Sequence, residues 1–181
     1  MLNSSKKEIP SLGDLSVWKE MSFQEVLESH KKSVYYFIRR MVSSHEDADD
    51  ITQDTFILVW KNLHQFQGNA QISTWIHRIA YRETLRWIKK TKKRQTLSMI
   101  NTPASSAQQD VNEEQMLLWL EEGIHILPEK QKAVFIFRYF DDKKYEEISE
   151  ITGTSIGALK ANFHHASLKI EQFLQSKIMI P

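Results

Sequence analysis

Residues 144–170, KYEEISEITGTSIGALKANFHHASLKI, decide the fold. Ile148 and Ile151 mark the buried side of one helix, and Gly153-Thr154-Ser155 interrupts it. Ile156, Leu159, Phe163, Ala166 and Ile170 then recur at the spacing that places apolar side chains on one face of a second helix. Helix, short glycine turn, helix is the layout of a DNA-binding helix-turn-helix; its bland counterpart is an ordinary helical hairpin. The second helix, with Ser155 at its start, turns Gly157, Ala158, Ala161, His164 and His165 outward, with Lys160 and Asn162 at the edges of that face. Small residues permit close approach to a groove, but bidentate base readout needs Arg, Asn or Gln. Residues 116–176 carry 7 Lys/Arg against 9 Asp/Glu, a net of −2, so this unit is expected to bind DNA weakly alone.

A second anchor lies upstream. Residues 78–94 hold Arg78, Arg82, Arg86, Lys89, Lys90, Lys92, Lys93 and Arg94 against Glu83, so eight minus one gives +7. Arg78, Arg82, Arg86, Lys89 and Lys93 fall in an arc of about 80° on a helix, with Ile76, Ile79, Ala80 and Trp87 to one side. Such a helix rests on a core and faces phosphates, or is a solvated charged face. Trp75 shares the basic arc, where an aromatic plane can stack on an unpaired base; packing into the core is the commoner fate.

Between these signals the chain alternates helices and breaks. Phe23, Val26, Leu27, Val34, Phe37, Ile38 and Met41 form one amphipathic stripe, and Ala48, Ile51, Thr55, Leu58 and Val59 a second that ends near Leu63. SSHED separates them, with Ser or His to cap the second helix. Gly68-Asn69 marks a loop, and from about Ser73 a third helix runs into the basic cluster. Residues 95–115 are rich in Ser, Thr, Gln and Asn and read as linker. Helical pattern resumes at MLLWLEEGIHIL and continues through Pro128 into EKQKAVFIFRYF, with shorter helices expected over 144–152 and about 155–174. The expected fold is all-α: an extension over 1–20, a helical domain over 21–94, a linker over 95–112, a second domain over 113–176 and a tail over 177–181.

Composition agrees. Of 181 residues, 41% are hydrophobic and only 5 are Gly and 4 Pro, which favours helices with packed cores. No cysteine is present, so disulfides and thiolate metal sites are excluded. No apolar run approaches membrane-spanning length, and a soluble, cytoplasmic protein with no membrane insertion is expected. Net charge is +1, yet Asp47, Asp49, Asp50 and Asp54 crowd one segment while the basic cluster crowds another, which points to two different partners. Carboxylates with His45 nearby can hold Mg²⁺ or Zn²⁺. Acidic groups favour a helix N-terminus in any case, and no nucleophile motif accompanies them. Adjacent His164 and His165 diverge by about 100° on a helix and chelate poorly. No catalytic residue, metal site or cofactor is assigned, and the chain is not read as an enzyme.

Three blocks, in order, resemble the extracytoplasmic-function sigma factors of the sigma-70 family. DADDITQDTFILVW (47–60) is similar to their polymerase-binding helix, FQGNAQISTWIHRIAYRETLRWIKKTKKR (66–94) to the segment that melts and reads the −10 promoter element, and LPEKQKAVFIFRYFDDKKYEEISEITGTSIGALKANFHHA (127–166) to region 4, which reads the −35 element. The resemblance implies core RNA polymerase and promoter DNA as partners. Asp50, Gln53, Asp54 and Trp60 would engage polymerase. Gly68 and Asn69 would hold a flipped −10 base, followed by Trp75 and the basic helix with Arg78, Arg82, Arg86, Lys89 and Lys93. Ser155, Gly157, Ala158, Lys160, Ala161, Asn162, His164 and His165 would face the −35 element. Many relatives have an anti-sigma factor as a further partner; no residue here encodes one. The chain departs from the family at Arg82, usually an Asn, which bears on −10 preference, and at His165, often an Arg, which weakens the expected −35 contact. The alternatives are a stand-alone helix-turn-helix regulator, a metal-dependent phosphodiesterase built on Asp50 and Asp54, and an adaptor that binds proteins only.

Overall fold

Ser22 opens the first helix with a reciprocal cap: the Glu25 amide donates to the Ser22 hydroxyl oxygen at 3.3 Å, and the Ser22 amide donates to the Glu25 carboxylate at 3.1 Å. In this computed structural model, which describes residues 22–95 and 113–178, seven α-helices follow in order. They are α1 (Phe23–Met41), α2 (His45–Asn62), α3 (Ile72–Gln95), α4 (Glu113–His125), α5 (Glu129–Tyr139), α6 (Tyr145–Thr152) and α7 (Ile156–Ile178), with a 3₁₀ turn at Leu63–Gln65. No strand occurs among the described residues. The expected extension and nearly all of the linker lie outside them.

Most elements fall where periodicity puts them. Ser44 caps α2 by accepting from the Asp47 amide at 3.3 Å. Val26, Val34, Phe37, Ile38 and Met41 of α1 pack with Ala48, Ile51, Phe56 and Val59 of α2 and Ile72, Ile76 and Ala80 of α3. Thr52, Thr55 and Thr84 are buried with their hydrogen bonding satisfied, because each hydroxyl donates to the carbonyl four residues earlier, at 2.6, 2.7 and 2.7 Å. Three expectations need correction. The helical pattern does not continue through Pro128: a turn at Ile126-Leu127 ends α4, and α5 starts afresh after Pro128, which has no amide hydrogen to give to a preceding turn. Ile156 is not core but 36% exposed, since it occupies the first position of α7, beyond the reach of α6. The last helix runs on through Ile178 rather than ending near 174, held by an ion pair from Lys177 to Glu122 at 2.8 Å.

Gly123 lets α4 approach α7. A β-carbon placed there would meet the Phe173 ring at 3.1 Å.

The two groups of helices pack on each other. Phe37 of α1 and Phe137 of α5 stack in parallel with ring centroids 4.4 Å apart, and both are fully buried. His77 of α3 meets both rings edge-on, at 6.1 and 5.8 Å. Arg40 lies over the Phe140 ring at 3.8 Å, and Lys92 of α3 pairs with Glu129 of α5. Buried residues of both groups therefore form one apolar cluster, with Phe37 and Phe137 at the seam.

Candidate nucleic-acid and protein-binding surfaces

The outward side of α2 carries one coherent stripe. Asp50, Gln53 and Asp54 are exposed, and they share helical register with Ile57 and Trp60. Ile57 is 48% and Trp60 61% exposed, far from the usual state of large apolar side chains. Phe23 and Leu27 of α1, with Phe56, continue this apolar floor into a shallow groove beside the aspartates. Sequence reading found the acids and Trp60 but missed Ile57, Phe23 and Leu27. The signal available was Ile57 itself, an apolar residue in the polar register of α2. No three His, Asp or Glu side chains converge on a shared ion among the described residues. Charge next to exposed aromatic and aliphatic surface instead fits a protein partner.

Helix α3 is built with two sides. Ile72, Ile76, His77, Ala80, Tyr81 and Thr84 face inward, while Arg82, Arg86, Lys89, Lys90 and Lys93 are exposed. Arg86 pairs with Glu83 at 2.7 Å, while Arg82, Lys89 and Lys93 lie exposed along the same stripe. Trp75 is half-buried, its ring 5.3 Å from that of Phe66, so packing is its observed state. Gly68 adopts φ of +70° in the loop before α3 and Asn69 is exposed, its amide donating to the Gln67 side chain at 3.2 Å. Arg78 does something the spacing does not foretell: its Nε donates to the main-chain carbonyl of Glu150, on α6, at 2.9 Å.

The helix-turn-helix is formed by α6 and α7. Gly153 takes the left-handed conformation, φ 70° and ψ 18°, and its amide closes α6 onto Ser149 at 2.8 Å. Ser155 begins the second helix by accepting from the Ala158 amide at 3.4 Å. Leu159, Ala166 and Ile170 are buried, and Phe163 stacks on Phe135 at 5.9 Å. That orientation leaves Ser155, Gly157, Ala158, Lys160, Ala161, His164 and His165 exposed on one surface, with Asn162 half-buried at its edge. The Lys160 ammonium stands 5.8 Å from the Tyr145 ring centroid.

Burial perturbs several groups between the two helical units. His77 is 2% exposed; its Nδ1 bonds the Ser73 carbonyl at 2.8 Å, while its Nε2 has no partner. Desolvation, reinforced by Lys143, holds its pKa down at about 3. Burial, then Lys132, lowers His125 to about 4. Lys132, whose ammonium donates to the His125 carbonyl at 3.1 Å, is lowered by burial to about 8.

Comparison with known proteins matches residues 26–94 to Sigma-70 region 2 and residues 117–170 to Sigma-70, region 4. The RNA polymerase sigma factor YlaC of Bacillus subtilis strain 168 is 26% identical over 161 residues, covering 83% of this chain and 91% of YlaC. The ECF RNA polymerase sigma factor SigW of the same organism is 27% identical over 156 residues, covering 79% of this chain and 83% of SigW. The fold is shared with the sigma factor RpoE of Bartonella quintana, solved in complex with the anti-sigma factor NepR: TM-score 0.71 and 22% identity, over 84% of this chain and 96% of RpoE.

Proposed function

The chain belongs to the extracytoplasmic-function sigma factors of the sigma-70 family, and from that premise we propose how its surfaces divide the work of an RNA polymerase sigma factor. Region 2 is assigned to residues 21–94 and region 4 to 113–176. The stripe of Asp50, Gln53, Asp54 and Trp60, extended by Ile57, is the polymerase-binding face; its charge steers encounter and its apolar floor gives the contact area. Gly68, Asn69 and Trp75 take the −10 element. Arg78, Arg82, Arg86, Lys89 and Lys93 hold its phosphates. Ser155, Gly157, Ala158, Lys160, Ala161, Asn162, His164 and His165 face the −35 element.

The single observation that supports this division is that an acidic–apolar face and a basic face occupy different helices of one module, both open to solvent. A lone regulator has no use for the first, and an adaptor has no use for the second. RpoE, which shares the fold, was solved with an anti-sigma factor; a protein of that kind is proposed as a further partner here. Run-off transcription with core polymerase tests the assignment. Promoter-specific transcripts should appear only when this protein is added, and their absence across a library of promoter fragments would refute it.

A further inference from the structure

Lys132, in the first turn of α5, is a charge that the surrounding fold only partly satisfies. Its residue is 8% exposed. Its ammonium donates to the His125 carbonyl at 3.1 Å, yet an ammonium has three N–H bonds to place. Among the described residues no carboxylate pairs with it and no second protein acceptor is within reach. Glu129, three residues earlier, is already paired with Lys92. A buried ammonium so placed is costly unless something further completes its shell. Desolvation lowers its pKa only to about 8, so the charge persists at neutral pH.

The ammonium lines a cleft of about 520 Å³, a volume ordinary for small-ligand sites. Three parts of the fold build it: the turn between α1 and α2, the last turns of α3, and the passage from α4 into α5. Met41, Val42 and Leu127 are buried and form its floor, while Trp87 and Ile88 present half-buried faces to it. Ser43 and Ser44 add hydroxyls to the wall. An apolar lining with a few convergent polar groups is how ligand clefts are made. Charge then selects the ligand. One buried cation favours one negative charge, and Asp47 and Glu129 in the same walls oppose a second.

We propose that this cleft binds a small monocarboxylic acid with an apolar body, its carboxylate accepting from Lys132 and its body lying on Trp87 and Leu127. The cleft shares no residue with the surfaces assigned to polymerase and promoter DNA, and the proposal does not depend on that assignment. Because the walls come from both groups of helices, a bound acid stabilises the whole protein against unfolding.

Titration of the full-length protein with benzoate and with hexanoate, followed by amide and indole NMR shifts, tests this. At least one acid should bind saturably with a Kd of about 1 mM, as suits a fragment of that size. It should shift the Trp87 indole and the Leu127 amide and raise the midpoint of thermal unfolding. Benzyl alcohol keeps the ring without the charge, and acetate keeps the charge without the body; each should bind about tenfold or more weakly. Lys132→Met keeps the stem, removes the ammonium and should weaken binding to the same degree, with its thermal unfolding reporting that it folds. No saturable shift with either acid, shifts centred elsewhere, or undiminished binding by folded Lys132→Met overturns the proposal. Inorganic phosphate binding as tightly as the acids overturns it too, since the cleft would then read charge alone. Should Lys132→Met fail to fold, the unaltered protein decides: equal binding of benzoate and benzyl alcohol refutes a carboxylate site.

Discussion

His77 shows how much a single side chain can contribute at the seam. Its ring lies edge-on against the stacked pair of Phe37 and Phe137, and one nitrogen is unpaired. Protonation there would place a charge in an apolar setting, with Lys143 and His30 as unfavourable neighbours and only the Ser73 carbonyl in its favour. The folded pKa is about 3, against 6.5 for the free side chain. Above pH 6.5 both folded and unfolded forms are neutral and the full stability is present. As pH falls below 6.5 the unfolded chain takes up a proton that the fold refuses, and stability drops by up to about 1.4 kcal/mol per pH unit until the folded value is approached. His30 and His125, also lowered, add in the same direction. His77→Phe, which keeps the ring contacts, should flatten urea-denaturation stability between pH 6 and pH 4.5 by about that slope. An unchanged slope would show that His77 does not gate stability.

At the scale of elements, the roles proposed for α2 and α3 should be separable by mutation. Asp50→Lys with Asp54→Lys should abolish co-purification with core polymerase while shifting stability by no more than about 0.5 kcal/mol, because both side chains are exposed. Retained co-purification would place the polymerase contact elsewhere. On α3, removing one phosphate-binding charge should reduce the slope of log K against log salt by about 0.9. Lys89→Ala with Lys93→Ala should therefore cut the slope for promoter duplex by roughly 1.8 in the holoenzyme. Arg78→Ala should cut the free protein's slope by much less than about 0.9, since Arg78 Nε already donates to the Glu150 carbonyl. A full reduction of about 0.9 in the free protein would mean that the Glu150 contact does not compete with phosphate binding. These faces were legible because each is a periodic property of one helix: the acids of α2, the cations of α3 and the small residues of α7 all follow from spacing. Ile156 misled because periodicity says nothing of where a helix's neighbour stops. The break at Ile126-Leu127 was hidden because Pro128 is also compatible with the first turn of a helix.

The whole molecule is where sequence reading had least to offer, because the stacking of Phe37 on Phe137 joins residues a hundred positions apart and leaves no period behind. One sign was present nonetheless. Ala133 to Phe137 are five apolar residues in succession, and all are buried; a helix apolar on every side must be covered on every side, which the helices of region 4 alone do not accomplish. Region 2 is the cover. This bears on how the protein meets DNA. Residues 116–176 have a net charge of −2, and the exposed face of α7 offers Gly, Ala and His rather than Arg. Residues 22–94 hold 13 Lys/Arg against 8 Asp/Glu, a net of +5, but with the acids of α2 uncovered. On these charges neither unit is expected to attract a duplex strongly. The free protein is therefore expected to bind promoter duplex weakly and with little preference over a scrambled duplex. If polymerase covers the α2 acids and fixes both modules on the promoter, as proposed, binding of the second element becomes intramolecular, and affinity should rise by about 10² to 10⁴ without any new contact. The measurement is promoter affinity of free protein and holoenzyme at one salt concentration. Tight, selective binding by the free protein would contradict the weak-unit argument.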